Sequence, residues 1–69
     1  MDLTIETELE VDGRWIAEIP ALPGVLAYGE TRQAAMTKAE VLALRVLADQ
    51  LENAETKPMP ISISLSGTP

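Results

Sequence analysis

The chain has no cysteine, no histidine and no phenylalanine, and one tryptophan and one tyrosine are its only aromatics. Without cysteine it has no disulfide, and without cysteine or histidine the usual structural zinc sites are excluded. The same absences remove Ser-His and Cys-His nucleophilic pairs and all imidazole acid–base chemistry. No apolar run approaches the ~20 residues that a membrane-spanning helix needs. The N-terminus lacks the basic start and apolar core of a signal peptide, so a cytoplasmic protein is expected. Positive charge is scarce as well. Five Lys and Arg stand against eleven Asp and Glu, a net charge of −6. Nucleic-acid phosphates demand the opposite sign, which argues against direct DNA or RNA binding. An acidic chain suits a basic protein partner.

What is present fits one small domain over residues 1–69. With 46% hydrophobic residues it is not a disordered chain. At this length, however, hydrophobic burial and the cost of ordering the chain nearly cancel, and small domains usually need a staple. Disulfides and zinc being absent, the remaining source is another chain. A homo-oligomer (dimer or tetramer) or an obligate complex is therefore expected.

The first segment, Leu3 to Glu10, alternates strictly, with Glu6, Glu8 and Glu10 on the face opposite Leu3, Ile5 and Leu9. That is a half-buried strand with an acidic outer face. Parity selects the turn that follows. A two-residue Asp12-Gly13 loop would oppose Thr7 to Glu18 and put an acid on the core side. A three-residue loop, Val11-Asp12-Gly13, opposes Leu9 to Trp15, Thr7 to Ala17 and Glu6 to Glu18, and sets Glu10 against Arg14. Only the second keeps both faces consistent, because a one-residue slip reverses every side chain. It calls for a left-handed Gly13 beside a bulge.

The second strand runs from Arg14 to Ile19. Pro20, Pro23 and Gly24 then mark a rigid structural loop, and Val25 to Tyr28 forms a third strand. Thr31 is a suitable N-cap for a helix over 32–53, whose main apolar stripe is Ala35, Met36, Ala39, Leu42, Ala43, Val46 and Leu47. A second apolar group, Val41, Leu44, Ala48 and Leu51, lies on a different side of the helix. One sheet covers one helix face, so these four are candidate residues for an oligomer or partner interface, or else scattered surface apolars. After Pro58 and Pro60, Ile61 to Leu65 alternates as a fourth strand, and 66–69 is a tail. The expected fold is α+β, β-β-β-α-β, with a right-handed crossover placing strand 4 parallel to strand 1 in the order 3-2-1-4.

Clustered acids such as Glu6, Glu8, Glu10 and Glu18 hold Mg²⁺ in some phosphoryl-transfer sites. Here they come with no general acid, on a strand face expected to be flat rather than concave. No catalytic residue, metal or cofactor is expected, and the four acids are candidates for steering a partner. The string Asp12-Gly13-Arg14-Trp15-Ile16-Ala17-Glu18-Ile19-Pro20-Ala21-Leu22-Pro23-Gly24, followed by Tyr28-Gly29-Glu30-Thr31 and an Ala-rich helix, resembles the N-terminal domain of HicB antitoxins. The resemblance spans about residues 3–65. It implies a partial ribonuclease H-like fold without the nuclease carboxylates. It also implies a non-enzymatic protein that forms dimers or larger assemblies and covers the active site of a small basic HicA-like mRNA interferase. Three departures stand out. Val25 replaces a frequent cysteine, Gln33 and Ala34 replace acids of the first helical turn, and the sequence reaches Pro69 with no helix-turn-helix or ribbon-helix-helix segment. Operator binding is accordingly not expected. The alternative is an orphan self-assembling domain with no toxin partner.

Overall fold

In the computed structural model, residues 2–54, 58 and 60–65 are described. The expected tail at 66–69 lies outside them, as do Lys57 and Met59 of the segment before the last strand. The elements are β1 (Asp2–Leu9), β2 (Trp15–Glu18), β3 (Leu26–Gly29), α1 (Arg32–Ala54) and β4 (Ser62–Leu65). They form a four-stranded sheet in the order β3-β2-β1-β4, with β1 parallel to β4 and its other pairings antiparallel. The α+β architecture is the one anticipated.

The hairpin register confirms the parity argument. Leu9 opposes Trp15, Thr7 opposes Ala17 and Glu6 opposes Glu18. The Glu10 amide donates to the Arg14 carbonyl at 2.7 Å, closing the three-residue loop, and Gly13 adopts φ +91°. A side chain there would be strained although nothing crowds the position. The loop after β2 is two successive turns. The Leu22 amide donates to the Ile19 carbonyl at 2.9 Å, and the Val25 amide donates to the Leu22 carbonyl at 3.0 Å. Each turn has proline at its second position, Pro20 and then Pro23, where a fixed φ is favourable. Gly24 takes the positive φ of +89° that follows. This loop also delivers Leu22 and Val25 into the core.

The core lies between the sheet and α1. Leu3 and Ile5 of β1, Ala17 and Ile19 from the β2 segment, Leu22 and Val25 pack against Ala35, Met36, Ala39, Ala43 and Leu47. Trp15, Ala27, Val46 and Ile63 border it, half-buried. Thr31 caps the helix as anticipated, its Oγ1 accepting from the Ala34 amide at 3.0 Å. Two contacts were not apparent from the sequence pattern. Arg32 donates through Nε to Thr7 Oγ1 at 3.1 Å, giving the one polar residue on the core-facing side of β1 a partner. Gly29, at the end of β3, sits under the helix start, where an added Cβ would lie 2.5 Å from the Ala35 nitrogen.

One member of the expected core stripe is not covered. Leu42 remains 38% exposed. The helix packs most on β3, then on β2, and less on β1. Leu42 is on the β3 side of the stripe, and β3 is the edge of the sheet, so no strand lies beyond it. Leu9 is likewise exposed at the hairpin end.

The Gly29 contact gives a direct test of this packing. Gly29→Ala is expected to lower stability by about 1–3 kcal/mol, because backbone rather than a flexible side chain blocks the new methyl. Gly13→Ala is expected to cost about 1–2 kcal/mol through its left-handed φ alone. Denaturant midpoints of the two variants against wild type measure both.

Candidate functional site

Only one face of the sheet is covered by α1, and the open face is chemically divided. Strand alternation places Glu6 and Glu8 of β1 beside Glu18 and Ile16 of β2, and Leu26 and Tyr28 of β3 beside those. Glu6, Glu8, Glu10, Ile16 and Glu18 line one depression, which Thr7 also borders. The face is therefore not flat as expected. All four candidate acids meet there, with Glu6, Glu8 and Glu18 exposed and Glu10 half-buried. Glu6 and Glu18 are direct cross-strand partners. Among the described residues no group of three or more acids is placed to hold a metal ion.

Toward β3 the face turns apolar. Tyr28 is exposed and carries the Arg14 guanidinium 4.6 Å from its ring centroid, within cation–π range. Arg14 faces Glu10 through the backbone, as expected, yet its side chain goes elsewhere. Its Nε donates to Asp12 Oδ2 at 2.9 Å, and its amide donates to Asp12 Oδ1 at 3.1 Å. The Arg14 amide first, and then its side chain, hold the Asp12 carboxyl below its ordinary value of 3.8. A depressed acid stabilises the fold above its ordinary pKa, and the contribution disappears as pH falls through the lowered value. In this exposed hairpin the ion pair is weak. Its consequence is positional, since Arg14 is held on Asp12 and Tyr28, beside Glu10 but outside the depression of the four acids.

The second helical group is placed away from the acids. Val41, Leu44 and Ala48 are exposed and Leu51 is half-buried. Val41 shares a shallow apolar groove with Leu42, Thr37, Lys38 and Ala27. Ala27 belongs to the edge strand, so this groove runs along the open side of the sheet. The sequence pattern identified Val41 but not its company, because helical angles carry no information about which strand is the last. Gly13, Pro20, Pro23 and Gly24 all serve turns, as expected of them.

No family model, curated protein or solved structure matches the chain.

The opposition of Glu6 and Glu18 has a measurable cost. Directly opposed like charges weaken a strand pair, so Glu18→Lys should raise stability by about 0.5 kcal/mol. Urea unfolding at low ionic strength measures it, and the gain should shrink in high salt.

Proposed function

We propose that the chain is a non-catalytic, antitoxin-like binding module that self-associates and neutralises a small basic protein, an mRNA interferase of the HicA type. The observation that carries this reading is the acidic depression of Glu6, Glu8, Glu10 and Glu18 on the sheet face that α1 leaves open. Three of these carboxylates are solvent-exposed, with no cation of the hairpin among them. A surface of one sign, dished and rimmed by the apolar Ile16, steers an oppositely charged protein and seats it. The resemblance to HicB domains supplies the class of partner, a basic ribonuclease whose active site binds phosphates. The acids offer that site negative charge in place of RNA. Such a partner implies a cytoplasmic setting.

A second reading is a self-assembling domain that takes no toxin. It is favoured by the exposed apolar residues Leu26, Tyr28, Val41, Leu42 and Leu44, which lie outside the acidic depression. The two readings separate in a single experiment. Calorimetric titration of the chain with a HicA-type basic ribonuclease is expected to saturate at a fixed ratio and to inhibit RNA cleavage. Affinity is expected to fall by roughly tenfold or more when Glu6 and Glu18 are both changed to Gln, and to fall with added salt. A folded, self-associated chain with no heat of binding and no inhibition leaves only the second reading.

A further inference from the structure

We propose that two copies of the chain join through the free edge of β3, antiparallel about a two-fold axis at Ala27, so that their sheets continue into one of eight strands. This rests on the self-associating half of the reading above and not on the basic partner. Of the outer helical group it takes in Val41 and leaves out Leu44, Ala48 and Leu51.

The hydrogen-bond parity of β3 carries the argument. The Ile19 amide donates to the Val25 carbonyl at 3.0 Å, so Val25 turns its carbonyl toward β2. Along a strand these groups alternate in direction. Ala27, opposite Ala17, therefore bonds to β2, while Leu26 and Tyr28 aim their N–H and C=O groups outward from the sheet. An antiparallel copy with its two-fold at Ala27 opposes Leu26 to Tyr28 twice. All four outward groups of one edge then meet all four of the other, and no slip is needed. On the open face the same register sets the Leu26 side chain beside the partner's Tyr28. These side chains are 41% and 39% exposed in the single chain.

The other face agrees. The helix packs most on β3 and next on β2. An axis above the β2–β3 boundary is about 5 Å from the two-fold, so two such helices run about 10 Å apart, the spacing of packed helices. Leu42, uncovered in the single chain, borders the groove that a second helix would fill, with Val41, Thr37, Ala27 and the one charged residue there, Lys38. The small Ala27 at the axis leaves room for both. Charge selects this edge as well. No residue of Leu26–Gly29 is Asp, Glu, Lys or Arg, whereas the chain carries −6 and four of its acids line the depression over β1 and β2. A second acidic copy is repelled least at β3. The opposite edge, β4, presents Ser62 and Ser64 on the open face, a polar border with little apolar area to bury. A four-residue strand pair alone is small against the ~800 Å² per partner of a standard interface. The side chains on both faces, Leu26 and Tyr28 on one and the helix groove on the other, extend it.

Sedimentation velocity and circular dichroism of the full chain test this. Wild type is expected at twice the chain mass. Leu26→Pro removes one outward donor and leaves the bonds to β2 in place, so it is expected at half the wild-type mass with an unchanged spectrum. Ala27→Cys places two thiols at facing positions with Cα atoms about 4.5 Å apart, and mild oxidation should convert most of it to a covalent dimer. Thr4→Cys, on β1, should give none. Leu44→Asp should stay dimeric. A monomeric wild type, a folded Leu26→Pro dimer, or loss of the dimer in Leu44→Asp with retention in Leu26→Pro would each overturn the inference. If Leu26→Pro misfolds, the yield of cross-linked Ala27→Cys decides. The basic ribonuclease titrated into each variant separates the two claims. If the dimer fails while binding persists, only this inference falls, and if the dimer holds without binding, only the toxin reading falls.

Discussion

One helix can bury one face of one sheet, and the remaining features of this molecule follow from that limit. Four strands present two faces, and α1 shields only the one bearing Leu3, Ile5, Ala17 and Ile19. The other must be compatible with water or with a partner. A polar face of mixed charge would satisfy water. This chain instead concentrates acids there, with Glu6 directly opposite Glu18, and holds Arg14 on Asp12 and Tyr28. An arrangement that weakens the strand pair it sits on is understandable when its charge acts on another molecule.

The same limit operates sideways. A helix seated over β3 and β2 brings its apolar stripe to the sheet's border, where Leu42 and Val41 run out of strand to cover. Surplus apolar area and unpaired backbone groups thus occur at one place, the β3 edge. Acidic face and neutral edge are separate surfaces with different demands. In our proposal the first attracts a protein of opposite charge, and the second tolerates a copy of like charge.

Much of the fold could be read from the sequence because strands have a period of two. Glu18 fixed the parity of the hairpin, since a register shifted by one residue turns that acid into the core. Gly13, the paired prolines with Gly24, and the Thr31 cap each had a local reason independent of distant contacts. The errors and omissions have a shared cause. Leu42 belonged to the stripe by angle, but angle does not say where a sheet ends. The Arg32–Thr7 bond and the approach of Ala35 to Gly29 join residues far apart or across an element boundary, and no periodicity encodes them. The four acids were legible as one face. That they line one depression rather than a flat surface is something alternation does not report.

The central claim is that the open acidic face is where a partner binds. Amide chemical-shift mapping of the ¹⁵N-labelled chain, titrated with a HicA-type basic ribonuclease, addresses it residue by residue. The largest changes are expected at Glu6, Glu8, Ile16 and Glu18, diminishing as salt is added. Changes confined to Val41, Leu44 and Ala48 on the helix, with the sheet face unaffected, would contradict it.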